Sequence, residues 1–169
     1  MKKLIIISLA TFFFGFTNLS AQKFKYGYIN GDNILQEMPE ILMANKTLET
    51  YIKPINDHIN TKSEEYKRKL EEFNKTKDNL SGFLKKEKEK EINELQSDLR
   101  QFQLNAQKEI NQKKSELYQK AIIKLKAAIA SVAKENGYRF IIDNSNGQLL
   151  YAEAQDNVEL LVKKKLGIK

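Results

Sequence analysis

The sixteen residues KTKDNLSGFLKKEKEK, Lys75 to Lys90, contain the single glycine that lies between Asp32 and Asn136. Over that long interval the only prolines are Pro39 and Pro54, so two long helices joined near Gly82 are the simplest prediction. With about 40 residues pairing on each side, the hairpin would form an arm of roughly 60 Å at 1.5 Å per residue. One continuous rod is the alternative, but it would separate flanking segments that are predicted to pair.

The apolar residues on either side of Gly82 recur at steps of three, four or seven, which is the period of one helix face. On the first side they are Leu48, Ile52, Ile55, Ile59, Tyr66, Leu70, Phe73 and Leu80, and on the second side Ile92, Leu95, Leu99, Phe102, Ala106, Ile110, Leu117, Ala121, Leu125, Ala128 and Val132. Stripes this narrow can bury only each other, which predicts an antiparallel coiled coil. Lys62 and Lys69 interrupt the seven-residue repeat, which predicts a stutter between Ile59 and Leu70. Pro54 predicts a kink and is a candidate hinge.

The first 21 residues are typical of a secretory signal that is cleaved after Ala21. Two lysines precede an uncharged apolar run from Leu4 to Phe16, which is too short for a membrane span. An uncleaved anchor is the alternative. The chain has no cysteine, which excludes a lipoprotein anchor, disulfides and thiol chemistry. Without Lys2 and Lys3, 27 Lys and Arg remain against 22 Asp and Glu, so the mature chain carries a net charge of +5.

The segments at the two ends of the mature chain, 22–38 and 137–169, predict a small body that carries the arm, 39–136, whose tip is near 78–86. Alternating aromatic residues predict a strand from Phe24 to Ile29, with Phe24, Tyr26 and Tyr28 on one face. Gly31 and Asp32 offer a cap for a short helix that ends before Pro39, and Pro39 suits the first position of the long helix.

After the second long helix, Gly137 is a stop signal. Tyr138–Asp143 and Gln148–Ala152 predict a β-hairpin around the turn residues Asn144–Gly147, and the hairpin presents Phe140, Ile142, Leu149 and Tyr151. Asp156–Glu159 has the form of a capping box that opens a last helix, with Val158, Leu161, Val162 and Leu166 on one face. A body of about 50 residues is marginal alone, so we expect it to self-associate through its strands.

These pieces resemble the OmpH/Skp family of periplasmic chaperones. The similarity is closest in YGYINGDNILQEMPE, residues 26–40, and in KENGYRFIIDNSNGQLLYAEAQDNVELLVKKKLG, residues 134–167. It extends over the mature chain, although the arm matches by pattern more than by motif. The fold class expected is mainly α with a small β element, in which a long antiparallel helical hairpin projects from a β-stranded trimerisation body.

The resemblance implies a homotrimer whose helical arms surround a cavity. Unfolded outer-membrane β-barrel proteins would be held there without ATP and kept from aggregating in the periplasm. The trimer body would use Phe24, Tyr26, Tyr28, Phe140, Ile142, Leu149 and Tyr151. The resemblance implies a strongly basic arm tip, but the net positive charge is smaller here, because residues 75–90 hold six lysines against three acidic residues.

The tip residues that we single out for contact with a client or an anionic membrane are Lys75, Lys77, Phe83, Leu84, Lys85, Lys86, Lys88 and Lys90. Two plainer interpretations stay open: the lysine-rich run as the solvated face of a helix, and Phe83 and Leu84 as a cap on the seam of the hairpin.

No motif indicates an enzyme, a cofactor or a metal site. His58 is the only histidine and has no potential ligands at metal-binding spacing, and the sequence DNSNG departs from a calcium loop in its glycine position and lacks the final glutamate. Two other functions remain: a structural coiled-coil adaptor for a folded partner, and a basic protein that binds anionic lipid or nucleic acid. The export signal argues against nucleic acid.

Overall fold

The structure is a computed structural model that describes residues 24–168. The predicted signal sequence, 1–21, lies outside the described residues. In chain order the elements are β1 (Lys25–Ile29), α1 (Gly31–Glu37), α2 (Pro39–Thr76), α3 (Gly82–Asn136), β2 (Tyr138–Asp143) and α4 (Glu159–Leu166). Short 3₁₀ turns occupy Lys77–Asn79 and Ala154–Asp156. The predicted fold class, a long helical hairpin with a small β element, is confirmed.

Local chemistry explains where the long helices begin and end. Pro39 occupies the start of α2, where its missing N–H costs nothing. Ser81 caps α3 because its side chain accepts a hydrogen bond from the N–H of Leu84. Gly137 ends α3 with φ of 70°, a left-handed conformation that disfavours residues with a Cβ atom. The cap of α1 differs from prediction, because Asn30 rather than Gly31 or Asp32 accepts from the N–H of Asn33.

The two arm helices run antiparallel. The ring of His58 contacts that of Phe102 with centroids 4.8 Å apart, and the Lys69 amine lies 2.6 Å from the Glu91 carboxylate. From the first contact to the second, α2 advances eleven residues and α3 retreats eleven, so the register holds through the outer arm. The chain therefore reverses at the tip, and the rod alternative is wrong.

The predicted stutter between Ile59 and Leu70 is not what the burial pattern shows. Ile55, Lys62 and Lys69 are seven residues apart and all half-buried, and the same spacing joins Ile59, Tyr66 and the buried Phe73. The seven-residue repeat therefore continues with lysine in the seam. It tolerates Lys69 because the long aliphatic part of the side chain packs while its amine reaches Glu91.

The body contains two parallel strands and the short helices α1 and α4, packed on the base of the arm. β1 pairs with β2 in the register Tyr26 to Phe140 and Tyr28 to Ile142, and the arm itself is the crossover that makes parallel pairing feasible. Inward-facing residues of the strands and of α1 pack against α3 and α4. This core contains Ile29, Ile34, Met38, Ile41, Ala121, Leu125, Ala128, Val132, Val158, Val162 and Leu166.

Two predictions about the C-terminal part of the body are wrong. Residues 148–152 form no strand in the described chain: the turn is present, but the side chain of Asn144 accepts from the N–H of Leu149 at 2.7 Å, so the turn uses a donor that a hairpin ladder needs. The capping box is also absent. Asn157 accepts from the N–H of Glu159, and the Glu159 carboxylate instead accepts from the backbone N–H of Asn30 across the body.

Candidate functional site

The outer face of the two-stranded sheet is apolar and open. The rings of Tyr26 and Phe140 are stacked with centroids 6.1 Å apart, although their side chains are 48% and 57% exposed. Ile142 lies beside Tyr28 on the same face and is also exposed. Aromatic side chains normally bury most of their surface in a folded protein, and the rings of this face do not.

The chain after β2 extends this open surface. A shallow pocket of about 320 Å³ is lined by Tyr26, Gly27, Tyr28, Ile142, Leu149, Tyr151, Ala152, Glu153 and Asp156. Leu150 is 99% exposed and Tyr151 80% exposed, with no backbone pairing in the described residues. The structure thus brings the predicted body residues together on one side, including Phe24, whose ring faces the Arg139 guanidinium at 4.0 Å.

The arm tip is exposed and lacks ion pairs over most of its length. Phe83 and Leu84 are 72% and 49% exposed, so they do not cap the seam, where Phe73 and Ile92 are buried instead. Within residues 24–168, only Lys90 of the six tip lysines lies within 4 Å of a carboxylate, that of Glu94. The others are the exposed Lys75 and Lys86 and the half-buried Lys77, Lys85 and Lys88.

Pro54 lies inside α2, which continues through it without a break. The side chain is exposed, so the ring does not disturb the seam. Its role as a hinge remains a prediction.

Lys69 and Glu91 are a paired set of titratable groups in the seam of the arm. A hydrogen bond from Lys69 lowers the pKa of Glu91, and the same bond raises the pKa of Lys69. His58 is in edge contact with Phe102. The described residues contain no group of His, Asp and Glu that could hold a metal ion.

At the base, one carboxylate joins three segments. Asp143 accepts from the N–H of Gly31 at 3.1 Å and from both the hydroxyl and the N–H of Ser145 at 2.6 and 3.0 Å. Burial raises the pKa of Asp143, but these hydrogen bonds outweigh it and hold the pKa below its usual value. Ser145 also accepts from the N–H of Asp32, so the turn fixes the start of α1.

Sequence reasoning missed a concentration of basic residues on α3, between Arg100 and Lys134. Leu104 and Ile123 are 59% and 60% exposed there, and residues 100–134 hold eight Lys and Arg against two acids. The tip lysines are closely spaced in the sequence, whereas the basic residues of α3 are spread over 35 residues. A charge count for each helix would have found the stronger signal in α3.

The described helices include none long and apolar enough to cross a membrane. The geometry defines a class of protein in which a small β-containing body carries one long, thin helical hairpin and leaves an apolar sheet face uncovered.

Comparison with known proteins identifies the family. Residues 25–166 match the model of the family described as outer membrane protein (OmpH-like), so the chain belongs to that family. No curated protein matched the sequence. Among solved structures, an OmpH-like protein from Caulobacter crescentus CB15, proposed as an outer membrane chaperone, superposes with a TM-score of 0.59 at 10% identity. The match covers 85% of this chain and 83% of the other, and at this identity it supports the fold alone.

Proposed function

We propose that the protein is an ATP-independent holdase chaperone of the periplasm. It would be exported with a cleaved signal peptide, assemble as a homotrimer, and hold unfolded outer-membrane β-barrel proteins between its arms. One combination of features carries the proposal. The long arm buries most of its apolar residues in its own seam, while the body leaves an aromatic face uncovered. Membership of the OmpH-like family supports it.

The physical argument starts from what the arm leaves exposed. The arm exposes a few small apolar sites, at Leu42 and Met43, Phe83 and Leu84, Leu104, and Ile123, and such sites give many weak contacts rather than one deep pocket. Weak contacts let a client dissociate without ATP. The space between three arms separates clients whose strands would otherwise pair with each other. The aromatic body face would supply the trimer contact that the small core requires.

The test is aggregation of a client. A urea-unfolded outer-membrane β-barrel protein is diluted into buffer with and without the chain that begins at Gln22, and light scattering is followed. We expect suppression that saturates near three subunits per client. A folded, helical protein that leaves scattering unchanged would refute the holdase proposal and favour an adaptor that binds one folded partner.

We also propose that the tip makes transient contact with anionic membrane. The exposed Phe83 stands beside lysines that lack carboxylate partners, a combination of apolar insertion and positive charge that anionic lipid attracts. Vesicles with and without anionic lipid test it by flotation. Binding to anionic vesicles should fall with salt and with Phe83→Ser, and equal binding to neutral vesicles would contradict it.

A further inference from the structure

We propose that residues 148–153 are the site at which an endoprotease recognises and cuts the chain when it is not assembled, and that assembly of the body protects this site. The inference rests on the proposed trimer and adds a route by which unassembled subunits are removed. The enzyme class that fits is an endoprotease whose pocket takes a large apolar or aromatic side chain. Residues 148–153 are here called the cleavage segment.

The cleavage segment lies in the middle of a loop whose two ends are tied to neighbouring residues of β1. The N–H of Asn144 donates to the C=O of Ile29 at 2.8 Å, and the N–H of Val158 donates to the C=O of Tyr28 at 3.0 Å. The loop between these anchors, residues 145–157, has the form of a surface loop with adjacent ends. At about 3.4 Å per residue, its middle can be drawn about 20 Å away from the anchors while β1 stays in place.

The backbone of the cleavage segment is almost unused. Residues 148–153 belong to no helix or strand. In the described part of the chain their backbone makes two hydrogen bonds, one from the N–H of Leu149 and one to the C=O of Glu153, near the two ends of the segment. An extended peptide binds in a cleft through main-chain hydrogen bonds and alternate side chains. The donors and acceptors that such binding needs are therefore free in the middle of the segment.

Two side chains of the cleavage segment suit the pocket of such an enzyme. Leu150 is 99% exposed and Tyr151 is 80% exposed, and chymotrypsin accepts a large apolar side chain beside the bond that it cuts. The exposed apolar residues of the arm, such as Met43, Phe83 and Ile123, lie inside α2 or α3. A protease must unfold part of a helix to reach those residues, whereas the cleavage segment is already free of regular structure.

Cleavage adds water across one peptide bond of the segment. The carbonyl carbon of Leu150 or Tyr151 gains the water oxygen and leaves as a carboxylate. The nitrogen of the next residue takes both water protons and leaves as an ammonium group. Water is the only co-reactant.

A cut in this segment separates α4 from the rest of the body. The fragment after the cut carries Val158, Val162 and Leu166, which are three of the eleven buried core residues. Its helix, α4, has only eight residues, and a helix of that length is not stable alone in water. The fragment can therefore leave, and the body loses part of its core. A single cut thus commits the subunit to further degradation.

The proposed trimer would cover the same residues. Leu149 and Tyr151 line the shallow pocket beside Tyr26 and Ile142, on the outer sheet face that is the proposed subunit contact. Neighbouring subunits on this face would hold the cleavage segment in place and keep an enzyme from enclosing it. Only the unassembled chain would then present the segment to a protease.

Limited digestion with chymotrypsin tests the inference on the chain that begins at Gln22. Unassembled chain is obtained by dilution and by Tyr26→Ser with Phe140→Ser, and solution scattering gives the mass of each sample. Mass spectrometry locates the first cut and follows its rate. We expect the first cut of the unassembled chain after Leu150 or Tyr151, at a rate at least about tenfold higher than in the trimer.

Matched variants separate the cleavage segment from the rest of the chain. Leu150→Ser with Tyr151→Ser should slow the first cut of the unassembled chain about tenfold, because the protease pocket loses its apolar side chain. Phe83→Ser with Leu84→Ser, at the exposed apolar pair of the arm tip, should leave that rate unchanged. All four side chains are exposed, so both variants should keep the helical circular dichroism of the unmodified chain.

Two results would overturn the inference: a first cut of the unassembled chain outside the cleavage segment, and a trimer that is cut within the segment as fast as the unassembled chain. Failure of the proposed function is distinguished by the other measurements. An unmodified chain that scatters as a monomer refutes the trimer and the protection together. A trimer that resists cleavage but suppresses no client aggregation refutes the holdase proposal alone.

Discussion

Gly137 shows how a single residue sets the geometry between arm and body. Its φ of 70° turns the chain from α3 directly into β2, and no atom lies within 4 Å of where a Cβ would stand. The constraint on this position is therefore conformational and not steric crowding by neighbours.

We predict that Gly137→Ala destabilises the protein by about 1 kcal/mol, because an L-residue pays that cost in the left-handed region. Gly82→Ala is the matched control. Gly82 also has open space around it, but it begins α3 without a positive φ, so alanine there should be neutral or stabilise by about 0.5 kcal/mol through the unfolded chain. Urea unfolding measures both. Shifts of the same sign and size would contradict the assignment.

Asp143 gives the body a defined response to acid. Its pKa is lowered in the folded protein, so its contribution to stability is complete above the pKa of the unfolded chain, about 4, and is lost as the pH falls through the folded value. Asp143→Asn keeps one acceptor oxygen but does not titrate.

We therefore expect the loss of unfolding free energy between pH 6 and pH 3 to be smaller in Asp143→Asn than in the unmodified chain. Urea midpoints across that range measure the difference. Glu40, Glu91 and Glu135 also have lowered pKa values, so both proteins will lose stability in acid, and only the difference in slope reports on Asp143. Parallel curves would show that its hydrogen bonds do not depend on ionisation.

At the scale of the helices, the seam of the arm is uneven. Its buried residues in the outer half are Phe73 and Ile92, while the residues between Leu48 and Phe73 on α2 are at most half-buried. The tip is thus held by a small local cluster beyond a weakly packed middle, and its stability should depend on few side chains.

We predict that Phe73→Ala opens the tip locally, because truncating a buried phenylalanine costs about 3 kcal/mol and the neighbouring seam has little to offset it. Hydrogen exchange of the amides in 70–95 should accelerate at least tenfold, while amides of the body core stay unchanged. Phe83→Ala, which removes an exposed ring a few residues away, is the control and should leave exchange unaltered. Uniform acceleration through the chain would show that the arm and body unfold as one unit.

The helices also show which features of the fold can be predicted from a sequence. Periodicity and breakers located α2, α3 and their reversal, because those signals are local. The predicted stutter was wrong because Lys69, a polar residue in the sequence, packs in the seam and forms an ion pair with Glu91. The predicted β-hairpin was wrong because the N–H of Leu149 donates to the side chain of Asn144. The composition of the turn does not reveal this hydrogen bond. The excess of basic residues on α3 was missed because those residues are scattered among polar ones along the sequence.

At the scale of the whole molecule, the proposed trimer is argued from the balance between buried core and exposed surface. The body and the base of the arm share a core of eleven buried residues, and the outer sheet face leaves Tyr26, Phe140, Ile142, Leu150 and Tyr151 in solvent. Aromatic side chains in interfaces bury roughly 150 Å² or more each. Covering this face would add these five side chains to the apolar surface that each body removes from water.

We predict that Tyr26→Ser with Phe140→Ser converts the proposed trimer to monomer while the helical content is retained, because both rings are exposed in the single chain and their removal leaves its core intact. Solution scattering gives the mass, and circular dichroism gives the helix content. Phe83→Ser, which removes an even more exposed ring at the far end of the arm, should leave the mass unchanged. An unmodified chain that scatters as a folded monomer would refute trimerisation. A doubly substituted chain that remains trimeric would place the subunit contact elsewhere, and the exposed segment with Leu150 and Tyr151 would then be the next surface to substitute.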